Sequence, residues 1–181
     1  MCEAHSNDQF DKQVRKAIST SCRILAIREH SVKELRLKLL KKGFNDEVLD
    51  DTIEWVLREN WLSEERYCGS YIRGKSAKGQ GRLRIEADLL QQNIDEIVIA
   101  NCFDEEAVDW QCLCDTVANK KLASLLPNVG SLQRFERVAE MNWQQSNSIK
   151  MKLERFLRYR GFTQSEITTT IRQCFIKQES I

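Results

Sequence analysis

Apolar residues four apart, followed by a helix-stopping residue, an apolar residue and a capping residue, occur at three places in the chain. The copies are Leu35, Leu39, Gly43, Phe44, Asn45; Ile85, Leu89, Asn93, Ile94, Asp95; and Leu153, Leu157, Gly161, Phe162, Thr163. Residues four apart share one helix face, and Gly or Asn after them can take the left-handed conformation that closes a helix C-terminus. Asn45, Asp95 and Thr163 can each accept a hydrogen bond from the first amides of a new helix. The apolar residue between stop and cap precedes Leu49, Ile99 or Ile167 by five positions, the spacing of a hydrophobic staple. Thr163 and Glu166 have capping-box spacing. The same period runs on through Ile53, Phe103 and Ile171. The pattern therefore predicts three helical pairs with two-residue turns, an internal repeat rather than an enzyme pocket.

The copies are offset by 50 and then 68 residues, so extra chain lies between the second and third. The only proline, Pro127, falls there with Asn128, Gly130 and Ser131, which marks a loop or insertion around 122–148. One proline and seven glycines among 181 residues are too few for many strands and tight turns, so the chain reads as all-α. The expected domains are an N-terminal tail over 1–13 and repeats over 14–62, 63–108 and 109–181. No apolar run is long enough to span a membrane, and the first residues lack the basic-then-apolar order of a signal peptide, so a cytoplasmic location is expected. Seven cysteines, an odd number, fit reduced thiols. Cys112 and Cys114 are too close in sequence for a structural zinc pair, and no metal or cofactor is expected.

Net charge is only +1, so bulk basicity does not argue for nucleic acid, but the charges are unevenly placed. Arg66 to Arg84 holds six basic residues and no acidic one; Ile85 to Asp115 holds nine acidic residues and no basic one. Residues 28–42 carry six positive and two negative charges, and 150–160 five positive and one negative. A single charge run is usually a solvated helix face. Recurrence in every repeat points instead to a stripe that meets phosphates or an acidic protein surface. Tyr67, Tyr71, Phe156 and Tyr159 lie among these cations and either pack between helices or stack on bases.

Gly69 to Ser76, GSYIRGKS, matches the phosphate-loop pattern of nucleotide hydrolases. That loop must follow a buried strand, whereas Ser63, Glu64 and Glu65 read as a helix start and Tyr67, Tyr71 and Ile72 continue it. A nucleotide hydrolase is thus a minor alternative. No histidine or carboxylate pair stands in a recognisable catalytic context.

The strings CRILAIREHSVKELRLKLLKKGF (22–44), LSEERYCGSYIRGKSAKGQGRLRIEADLLQQNI (62–94), DWQCLCDTVANKK (109–121) and KLERFLRYRGF (152–162) resemble the RecX family of regulatory proteins, modulators of the RecA recombinase. The resemblance covers roughly residues 14 to 176. Asn93 stands where the family has glycine, and Gln91 and Gln92 where it has basic residues. The resemblance implies an elongated array of three tandem three-helix repeats. Such a protein is not an enzyme; it lies in the groove of a RecA filament and suppresses ATP hydrolysis, strand exchange and repressor cleavage in DNA repair and the SOS response. By match to basic positions of the family, the contact candidates are Arg28, Lys33, Arg36, Arg73, Lys75, Arg82, Arg84, Arg155, Arg158 and Arg160. The RecA filament is the expected partner, weak salt-sensitive DNA binding a secondary one, and a monomer the expected state. The competing class is a helix-turn-helix DNA-binding protein, suggested by the glycine-containing turns between short helices.

Overall fold

The computed structural model describes residues 3–126 and 143–175. Among the described residues there are nine helices and no strand: α1 (Glu3–Leu25), α2 (Val32–Leu40), α3 (Asp46–Arg58), α4 (Glu64–Ser76), α5 (Arg82–Gln91), α6 (Glu96–Glu106), α7 (Trp110–Leu125), α8 (Trp143–Arg160) and α9 (Gln164–Phe175). The stretch 3–13, expected as a tail, continues α1 because no stop signal interrupts it. At the expected insertion, 122–125 complete α7 and 143–148 begin α8, while 127–142 lie outside the described residues.

The repeated stop is built the same way in all three copies. Gly43, Asn93 and Gly161 have φ of 88°, 63° and 90°. In each copy the next amide reaches back five residues: Phe44 to the Leu39 carbonyl at 3.4 Å, Ile94 to Leu89 at 3.4 Å and Phe162 to Leu157 at 3.3 Å. These bonds, with Gly43 to Leu40 at 2.9 Å, Asn93 to Leu90 at 2.9 Å and Gly161 to Arg158 at 3.0 Å, form three Schellman motifs. The following helices start on side-chain caps. The Val48 amide donates to Asn45 Oδ1 at 3.1 Å and the Ile97 amide to Asp95 Oδ1 at 2.8 Å. Thr163 and Glu166 exchange bonds of 3.3 and 2.8 Å in a complete capping box.

The chain divides into two compact units, residues 1–71 with 89–106, and 72–88 with 107–181. In the first, α1, α2 and α3 pack together over Leu35, Leu39, Leu49, Ile53, Val56 and Leu62, with the staple residue Phe44 against them. In the second, α7, α8 and α9 enclose Cys114, Val117, Ala118, Leu122, Leu153, Leu157, Phe162, Ile167, Ile171 and Cys174. The spacing of four that defines the sequence repeat is thus the spacing of buried positions. Burial pushes the Cys114 and Cys174 thiols up to about 11, so both act as small packing groups. The string GSYIRGKS lies wholly within α4, and Ser76 Oγ donates to the Arg73 carbonyl at 3.1 Å; the phosphate-loop alternative has no loop to stand on.

Candidate partner-binding surface

Each compact unit contains a joint in which the start of one repeat's short helix meets the stop turn of the next repeat. In the first unit the joint is made by side chains. Buried Ser31 caps α2, its Oγ accepting from the Glu34 amide at 3.0 Å and donating to Gln92 Oε1 at 3.1 Å. Lys33 Nζ donates to the Gln91 carbonyl at 2.6 Å and lies 3.4 Å from Asn93 Oδ1, placing a cation on the C-terminal carbonyls of α5. The departures at Gln91, Gln92 and Asn93 are therefore the receiving half of this joint.

In the second unit the joint is made by backbone. The Gly81 amide donates to the Arg160 carbonyl at 2.9 Å, and the Leu83 amide to the Gly161 carbonyl at 3.0 Å. Unpaired amides at the start of α5 thereby satisfy unpaired carbonyls at the end of α8. The approach requires glycine. A Cβ on Gly81 would stand 2.4 Å from the Gly161 carbonyl carbon and oxygen, and one on Gly161 would stand 2.4 Å from Arg84 Cβ. Arg84 crosses the joint, its guanidinium 3.5 Å from the Tyr159 carbonyl and 5.2 Å from that ring's centroid.

These joints and their surroundings account for much of the basic set. Lys33 and Arg84 belong to the joints. Arg28 pairs with Glu34 at 2.9 Å, and Arg36 bridges Asp46 and Asp50 at 2.8 and 2.6 Å, its guanidinium held above its ordinary pKa chiefly by the Asp50 bond. Arg158 reaches Glu154 at 2.8 Å and Gln164 at 3.0 Å. Arg160 donates to the Lys78 carbonyl at 2.8 Å and lies 5.2 Å from the Phe156 centroid. Lys75 stands 3.8 Å from Asp88, Arg73 is exposed and Arg82 half-buried. Arg155 is exposed on α8 with no carboxylate partner among the described residues. Most of these pairs are solvent-exposed and worth about 0–1 kcal/mol each, so a partner's carboxylates or phosphates can replace them at small cost.

Three lysines outside that set share one concavity. Lys78, Lys120 and Lys121 line a cavity with Arg160, formed by residues 77–79, α7 and α8. The adjacent pair Lys120 and Lys121 was visible in the sequence, but its approach to Lys78 depends on the fold.

Capped helical pairs, jointed within each compact unit and carrying cations around the joints, define a helical-repeat protein. Sequence profiles of the RecX family match it: the first three-helix domain over residues 17–55 and the second over 63–102. The regulatory protein RecX of Yersinia enterocolitica is 30% identical over 171 residues, spanning 83% of this chain and 92% of that protein. That of Serratia proteamaculans is 28% identical over 177 residues, spanning 86% and 95%. The crystal structure of RecX from Lactobacillus salivarius has the same fold, with a TM-score of 0.70 at 18% identity over 91% of this chain and 97% of that one. A second RecX crystal structure gives 0.71 at 17% identity, covering 96% and 78%. The chain belongs to the RecX family of regulatory proteins.

Proposed function

We propose that the protein binds the RecA recombinase, as monomer or in the groove of the RecA–DNA filament, and inhibits its ATPase, recombinase and coprotease activities in DNA repair and the SOS response. Family membership over most of the chain is the observation that carries this reading. The physical basis is modular. Repeats over 14–62, 63–108 and 109–181 each offer cations to a partner that itself repeats, and several weak contacts then combine through effective concentration. Arg155 is the first contact candidate because it has no internal carboxylate to leave. Arg28, Arg36 and Arg158 would exchange exposed internal pairs for partner groups, whereas Lys33 and Arg84 act by holding the repeats in register. The protein acts as a cytoplasmic monomer, without cofactor, and any DNA contact is secondary and salt-sensitive.

The test is ATP turnover by RecA on single-stranded DNA at substoichiometric amounts of the protein. Turnover falls if the proposal holds, and Arg155→Ala weakens the effect while leaving the fold intact. Unchanged turnover together with absent filament binding would refute it.

A further inference from the structure

The second compact unit contains a cavity of about 290 Å³ whose lining includes Lys78, Lys120, Lys121 and Arg160 and no carboxylate. We propose that this cavity binds a nucleotide through its phosphate, independently of the recombinase reading. Lys78, Lys120 and Lys121 have no carboxylate partner among the described residues. Arg160 is fixed in place: its guanidinium holds the Lys78 and Gly79 carbonyls at 2.8 and 3.4 Å and lies against Phe156. Lys121 Nζ stands 5.1 Å from the centroid of the same ring. The rim packs closely at Gly79, where an added Cβ would meet Val117 Cγ2 at 2.8 Å.

The ligand class follows from what the walls offer. Three ammonium groups present point charges suited to a phosphate, and the Thr116 and Ser124 hydroxyls add hydrogen-bonding capacity. Leu113, Val117 and Phe156 supply an apolar wall for a flat base or sugar. The volume of about 290 Å³ lies just under the lower bound of about 300 Å³ for ligand pockets, which favours a single nucleotide over a peptide helix. The nucleotide is a free one, since the cavity has room for a single unit.

The experiment titrates the full chain by calorimetry with ADP, with a short oligothymidylate and with adenosine. ADP binds, and adenosine binds at least about tenfold more weakly because the phosphate is what the lysines hold. Binding of the oligothymidylate without ADP would assign these lysines to a strand backbone and overturn the proposal. The double substitution Lys120→Gln with Lys121→Gln, and separately Lys78→Gln, lose about tenfold in affinity with an unchanged melting temperature, whereas Lys150→Gln, outside the cavity, binds as the wild type. No binding of ADP, adenosine binding as well as ADP, or undiminished ADP binding by the folded lysine variants would overturn the proposal.

Discussion

The two joints solve one problem with different chemistry. Both bring the start of a short helix onto the stop turn of the following repeat, yet Ser31, Lys33, Gln92 and Asn93 do it with side chains, while Gly81, Leu83, Arg160 and Gly161 do it with backbone. A backbone joint needs close approach and tolerates no Cβ. A side-chain joint leaves room, so residue type can vary while the turn geometry is kept. That room accommodates Asn93 in place of glycine in the second copy. Asn93 keeps the left-handed φ of 63° and adds an acceptor for Lys33.

The sharpest way to break this comparison is alanine at the stop glycines. Gly161→Ala combines a left-handed backbone at φ 90° with a Cβ only 2.4 Å from Arg84 Cβ. Left-handed strain of about 1–2 kcal/mol and overpacking of about 1–3 kcal/mol add, so a loss of about 3 kcal/mol in chemical denaturation is expected. Gly43→Ala has φ 88° but nothing within 4 Å of its Cβ, so only the strain remains, about 1 kcal/mol. Equal losses at the two glycines would dissolve the distinction between a plain stop and a joint.

Ser31→Ala removes both the α2 cap and the bond to Gln92, for an expected loss of about 1–2 kcal/mol. A double-mutant cycle with Gln92→Ala isolates the joint from the cap; coupling of about 0.5–1 kcal/mol is expected, and strict additivity would mean that the two side chains act separately.

Acid should discriminate between the units as well. His30 precedes Ser31 in the first unit, its Nδ1–H donating to the Arg28 carbonyl at 2.8 Å while Nε2 accepts from Lys38 Nζ. Burial, and then the Arg28 and Lys38 charges, hold its pKa below the ordinary 6.5, although the Arg28 carbonyl bond and the Glu34 charge oppose this. A depressed folded-state pKa means that the unfolded chain takes up the proton first. Its contribution is full above about pH 6.5 and is lost as pH falls through the lower folded-state value. The corresponding position in the second joint is Gln80, which does not titrate. Hydrogen exchange at pH 7 and 5 should show faster opening around α2 at the lower pH, with the change abolished in His30→Gln. Asn93→Gly is the mildest test: glycine accepts the left-handed turn but removes the Lys33 acceptor, and stability should change by less than about 0.5 kcal/mol.

Much of the fold was legible in the sequence because its signals are local. Stop, staple and cap each depend on residues within a few positions, and all three copies appear at Gly43, Asn93 and Gly161 as the spacing predicts. Helix ends lacking such signals are not legible locally: α1 reaches back to Glu3, and α7 runs on to Leu125. The candidate surface was legible as composition but not as arrangement. A basic residue in a run looks the same whether it stands exposed without a carboxylate like Arg155, bridges two aspartates like Arg36, or caps the next repeat like Lys33. Those roles depend on residues up to 82 positions away, as in the Arg160 bond to the Lys78 carbonyl, and no spacing rule reaches that far.

The central claim is that these jointed repeats serve to engage a recombinase filament, and co-sedimentation with RecA polymerised on single-stranded DNA tests it most directly. The account predicts that the protein pellets with the filament, that DNA alone retains little of it at physiological salt, and that Gly161→Ala reduces pelleting more than Gly43→Ala does. Pelleting with DNA to the same extent whether or not RecA is present, or no pelleting with the filament, would contradict it.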